Sequence, residues 1–209
     1  MTLSTVLSVT LCALSVGAAP SGPAGPLVDR VVAVVDKQVI TLSELLVETR
    51  VTLVYKGGES AASADLDEQL LRTFADYVVN QTLVAMQARR LGAAEVSEVD
   101  VEHELWRFAQ QFRTNDAYRA FLRRFDISDE VLRHIAQRNL RNDKYIAERM
   151  RLRLGERDAT VDSPRYQEAL KKWLTEVRQS AEVRLLGPTG ELELQGTEPA
   201  PAPSEAGRP

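Results

Sequence analysis

The chain has one cysteine, Cys12, and two histidines, His103 and His134, in 209 residues. A single thiol allows no internal disulfide and no cysteine-based metal site. No GxSxG, P-loop or GxGxxG stretch occurs, so the common nucleophile and phosphate-cradling motifs are missing. Charge of one sign is not in excess: the formal net charge is -4. That mildly acidic balance argues against nucleic acid as the main partner. The largely apolar run Val6 to Val16 is shorter than the ~20 residues a bilayer requires, so no stable membrane anchor is expected.

The histidines do not compensate. "HELWR", His103 to Arg107, begins like a zinc-protease helix, but Arg107 stands where the second histidine is required. His103 lies between Glu102 and Glu104 and reads as part of a solvated helix face. His134 lies in an Arg-rich helix, with no acidic or cysteine partner at ligand spacing. No catalytic residue, cofactor or metal is expected, and the chain reads as a non-enzyme.

The first 19 residues carry no charged side chain and end in Gly17, Ala18 and Ala19. This is the layout of a secretory signal peptide cut after Ala18 or Ala19, although the usual preceding Lys or Arg is missing. The alternative is an uncleaved anchor or a misplaced start codon. Leu11 stands where a lipoprotein signal places a small residue, so Cys12 is not read as a lipid site. Cleavage would remove Cys12 and leave a mature chain without cysteine. Residues 20–27 read as a flexible lead-in, and 188–209 as a Pro-, Ala- and Glu-rich disordered tail.

Between these ends the helix signals are regular. Thr41 and Glu44 form a capping box before a helix reaching about Lys56, where "KGGES" stops it. A long helix follows, from about Asp65 to Leu91, ended by Gly92. Ser97 opens another, with Val101, Leu105, Phe108 and Phe112 on one face. Asn115 to Arg124 and Ser128 to Leu154 are two more. After the polar loop Gly155 to Ser163, Pro164 starts a last helix to about Ser180, with Tyr166, Leu170, Trp173 and Val177 along its apolar stripe.

Only three strands stand out: Val31–Val35, Val39–Ile40 and Glu182–Leu186. A lone hairpin is marginally stable in water, so the third strand is expected to pair with the first two and join the chain ends. The expected fold is therefore mainly α, with a small sheet built from the N-terminal hairpin and the C-terminal strand.

"VDRVVAVVDKQVITLSEL", Val28 to Leu45, resembles the opening of the SurA family of periplasmic chaperones. The helices around "NDAYRAFLRRFDISDEVLRHIAQRNLRNDKYIAERM" and the closing "WLTEVRQSAEVRLL" follow that family's order, and the resemblance covers roughly Val28 to Leu186. It implies one chaperone core over 28–187, divided into 28–154 and 164–187. Relatives carry parvulin-type prolyl isomerase domains at the point where this chain has only the loop Gly155 to Ser163. The resemblance thus implies an exported, periplasmic protein that holds unfolded polypeptide, with outer-membrane β-barrel proteins as clients and no isomerase activity. The alternative is an adaptor that binds one folded partner, such as a separate isomerase or an assembly machine. A helical DNA-binding regulator is the third option, and export would remove it.

Six aromatics stand between Trp106 and Phe125. Phe108 and Phe112 read as core. Trp106, Tyr118, Phe121 and Phe125 are the candidate client-binding residues, with Trp106 off the main apolar stripe and Tyr118 next in expected exposure. The basic stretch Arg133 to Arg157, with eight Arg or Lys against three acids, reads as a solvated helix face rather than an anion-binding surface.

Overall fold

The computed structural model describes residues 29–92, 95–155 and 158–186, and the backbone of 192–194. The expected signal peptide, the lead-in and the segment 196–209 lie outside the described residues. Among the described residues, six helices and four strands follow in the order β1 (Val31–Val35), β2 (Gln38–Thr41), α1 (Leu42–Ala61), α2 (Glu68–Arg90), α3 (Glu98–Ala109), α4 (Asn115–Arg124), α5 (Asp129–Leu154), α6 (Pro164–Gln179), β3 (Val183–Leu186) and β4 (Leu192–Leu194).

Each helix begins where a side chain can accept a free backbone N–H. Thr41 and Glu44 close a capping box, with the Glu44 carboxylate accepting from Thr41 N–H at 2.9 Å. Ser97 and Asp100 close a second. Thr114, Ser128 and Ser163 cap α4, α5 and α6. The start of α2 differs from the expectation. Asp67, not Asp65, accepts from Leu70 N–H at 2.7 Å, so the helix begins at Glu68.

Two other boundaries also differ. α1 does not end at Lys56; it breaks at Gly58, whose φ of 66° is a left-handed value suited to glycine, and one further turn reaches Ala61. The loop after α3 is held at this break. Glu59 N–H donates to the Gln111 carbonyl at 3.2 Å, and Arg113 N–H donates to the Glu59 carboxylate at 2.8 Å. α3 stops at Ala109, so Phe112 enters the core from that loop rather than from the helix.

The sheet is antiparallel throughout, in the order β2-β1-β3-β4. β3 returns to β1 with Val35 opposite Val183 and Ala33 opposite Leu185. The closure of the chain ends expected from the sequence is present. β4 is a correction: it falls inside the stretch read as a structureless tail. Leu192, Glu193 and Leu194 alternate in the strand period and pair with β3, which would otherwise be an edge.

The core has two apolar parts. One joins the sheet to α2, the end of α5 and α6, through Val35, Val79, Met150 and Trp173. The other joins the second half of α1 to α3, α4 and the start of α5, through Val54, Phe108, Phe121 and Leu132. α1 and α5 contribute to both, and their buried polar groups include Glu48, Thr49, Thr52 and Asn142. Arg138 donates to both Glu48 oxygens, at 2.5 and 2.7 Å. Asn142 donates to the backbone carbonyl and the side-chain oxygen of Gln81, at 2.9 and 2.7 Å. These bonds offset part of the cost of burying charge and amide, although Arg138 Nε and Asn142 Oδ1 are buried without a partner.

Candidate functional site

A groove of about 800 Å³ opens between β2, α1, α2 and α5. Ile40, Val78, Ala85 and Ile135 are buried and form its apolar base. Val39 and Val131 stand at its margins, 51% and 42% exposed. The Glu48–Arg138 pair also lines it. Around the apolar surface stand Glu44, Asp126 and Glu130, with Arg89 as the counter-charge and His134 on the α5 wall. The lining comes from four elements, so its shape depends on their mutual packing and not on any one helix.

Ser43 lines the groove too, and its hydroxyl donates to the carboxylate of Asp29, which lies outside the lining. Among the described residues, no three His, Asp, Glu or Cys side chains converge as a metal site. Also among the described residues, no helix is long and apolar enough to cross a membrane.

The four aromatics singled out from the sequence are not brought together on one free surface. Trp106 is 58% exposed on the outer face of α3 and stacks on His103, with ring centroids 5.9 Å apart. Val99, one turn before His103, continues that exposed stripe. Tyr118 is half-buried, against Phe112 at 5.6 Å and Phe108 at 6.3 Å. Burial raises its phenol pKa. Phe125 is half-buried too, with the Arg50 guanidinium 4.6 Å from its ring centroid and Arg124 at 5.3 Å. Phe121 is a correction. It is 5% exposed and packs on Phe108, Phe112 and Phe125, because Leu122 and Phe121 together form the inner face of α4. It is a core residue and offers no surface to a client.

The Arg-rich helix is also accounted for within the fold. Arg133 bonds Glu98 and Glu102, Arg138 bonds Glu48, Lys144 bonds Asp100, and Arg153 bonds Glu176. These pairs connect α5 to α3, α1 and α6, and leave little of the helix as a free cationic stripe.

Sequence reasoning missed the groove residues. Val39 was visible as one half of a short strand, and Val131 as an apolar residue in the first turn of a helix. Nothing in their spacing places them on one concavity, 92 positions apart in the chain. No protein-family model matches this chain, and no curated protein matches it either.

Proposed function

We propose that this chain is an exported, chaperone-like module of the periplasm that holds unfolded polypeptide, outer-membrane β-barrel proteins foremost, without catalysis or cofactor. The observation that carries this reading is the groove: an open concavity with an apolar base, exposed Val131 at its margin and a charged surround. Such a surface holds extended apolar segments by non-directional burial, which suits clients of varied sequence. α5 leads into α6 through residues 155–163 alone, so the order of elements leaves no place for an isomerase domain there. The resemblance of Val28 to Leu45 and of the later helices to the SurA family points to the same use.

The test is aggregation of an unfolded β-barrel protein on dilution from denaturant. The purified chain is expected to delay it near stoichiometric ratio, while leaving the isomerisation rate of a prolyl peptide at its uncatalysed value. No delay at tenfold excess would overturn the reading.

A second reading is an adaptor for one folded partner, and one feature favours it. Val99, His103 and Trp106 form an exposed stripe on α3, remote from the groove lining. An adaptor would hold a single native protein through that stripe and ignore unrelated unfolded barrels. Several unrelated barrels held with similar affinity decide for the first reading.

A further inference from the structure

β2 is an edge of the sheet, and it forms one wall of the groove. Its hairpin fixes which of its backbone groups face outward. Val35 is opposite Gln38 at the turn, and such a terminal pair in a two-residue hairpin exchanges both hydrogen bonds. The next pair, Val34 and Val39, is then a non-bonded one, and Val39 N–H and C=O point away from β1. Ile40, opposite Ala33, turns back to β1, and Thr41 N–H is taken by the Glu44 carboxylate. The open edge therefore presents one donor and one acceptor, both on Val39.

The side chains complete the pattern. Ile40 lies on the helix-covered face of the sheet, where the apolar base of the groove begins, while Val39 projects from the opposite face. A residue bonded to Val39 from a further strand would place its own side chain beside that of Val39. Its two neighbours would point into the groove, over Ile40, Val78 and Ile135. The charges there are unbalanced. With the Glu48–Arg138 pair set aside, three carboxylates (Glu44, Asp126 and Glu130) face one guanidinium, Arg89. Among the described residues, neither Asp126 nor Glu130 takes part in an ion pair.

We propose that the groove takes an extended polypeptide segment as an added strand on β2, bonded to Val39 N–H and C=O, with apolar residues on both sides of the bonded one and a Lys or Arg beyond them. The inference rests on the polypeptide-holding reading above and specifies its chemistry. Main-chain bonds to a sheet edge give affinity independent of sequence, and alternate side-chain pockets give selectivity. A segment of the pattern basic-x-apolar-x-apolar-x-basic fits, because side chains two apart share a face.

The probe is a fluorescent heptapeptide, Lys-Thr-Val-Thr-Val-Thr-Lys, titrated with the full chain. Saturable binding is expected. N-methylation of the central threonine removes the donor aimed at Val39 C=O and should weaken binding at least tenfold. N-methylation of either valine, whose N–H would point away from β2, should change it less than threefold. Replacing both lysines by glutamates should weaken binding more than fivefold. On the protein side, Val39→Pro deletes the outward N–H at a position where an edge strand tolerates proline. It should abolish binding with the circular dichroism spectrum retained, while Val39→Thr should bind. The peptide series uses the unaltered protein, so the result stands even if Val39→Pro does not fold. Equal effects of central and flanking N-methylation, or no binding of the parent peptide, would overturn strand addition. If aggregation of unfolded barrels is still suppressed in that case, the holding function survives and only its mode is wrong.

Discussion

Asp36 and Glu182 clasp one another across 146 residues of sequence. Asp36 N–H donates to the Glu182 carbonyl at 2.8 Å, and the Asp36 carboxylate accepts from Glu182 N–H, also at 2.8 Å. Asp36 has a φ of 52°, in the left-handed region that Asp tolerates better than most residues. The turn of the N-terminal hairpin is thus the point where the C-terminal strand docks, and β3 runs on from it alongside β1.

This clasp makes the C-terminal strand a stability element. Ending the chain after Ser180 removes β3, its ladder to β1, and the burial of Val183. Loss of that side chain alone is worth about 1.5–3 kcal/mol. A domain of this size loses roughly 2–4 °C in Tm per kcal/mol, so Val183 alone accounts for a fall of about 3–12 °C, to which the lost ladder adds. Ending the chain after Gln195 leaves β3 and β4 intact and should shift Tm by less than about 1 °C. Thermal melts of the two truncations check this, and equal shifts would refute the role of the closure.

The Glu48–Arg138 pair gives a second prediction. Both partners are largely buried, and Arg138 Nε is buried without a partner. Glu48→Ala leaves the guanidinium uncompensated and should cost about 3–5 kcal/mol in urea unfolding. Glu48→Leu combined with Arg138→Met removes both desolvation costs and should lie within about 1 kcal/mol of the parent or above it. A double variant as damaged as the single one would show that the pair contributes net stability.

Acid should weaken the fold through carboxyls held below their ordinary values. Asp29 is lowered by the Ser43 hydroxyl and then by Thr41, Asp100 by Lys144 and then Ser97, and Glu176 by Arg153. A carboxyl depressed in the folded state contributes stability that is complete above its unfolded pKa and lost as pH falls through the folded one. The ordinary values are 3.8 for Asp and 4.5 for Glu, so the loss begins near these and deepens below them. All three groups are exposed, and salt screens them. Urea midpoints should therefore fall from pH 5 to pH 2, less steeply in 1 M salt than in 0.05 M. Midpoints that rise on acidification would contradict the assignment.

Trp106 and Phe121 should separate binding from folding. Trp106→Ala removes an exposed ring and should alter stability by less than about 0.5 kcal/mol. Any loss of client holding in that variant then reports a contact. Phe121→Ala empties a core site and should cost about 3–5 kcal/mol, so its loss of holding would follow the unfolded fraction. Unfolding curves measured beside the aggregation assay distinguish the two.

The mainly helical class and the closure of the sheet were legible in the chain, because both rest on local chemistry. Thr41, Ser97, Ser128 and Ser163 cap helices wherever they precede an apolar period of 3.6, and Val31 to Val35 is too apolar to remain uncovered. The break at Gly58 was visible as a stop, but the extra turn to Ala61 depends on Gln111 and Arg113, which reach it from another helix pair. β4 was hidden because three alternating residues beside a Pro- and Ala-rich segment carry almost no periodic signal. The aromatic cluster showed that some rings must be buried, and tertiary packing decided which: Phe121 inward, Trp106 outward. The groove lay wholly beyond the sequence. Val39, Val78, Glu130 and Ile135 meet only because α1, α2 and α5 pack beside an edge strand, and a concavity of that kind is set by distances between elements that no single stretch of residues encodes.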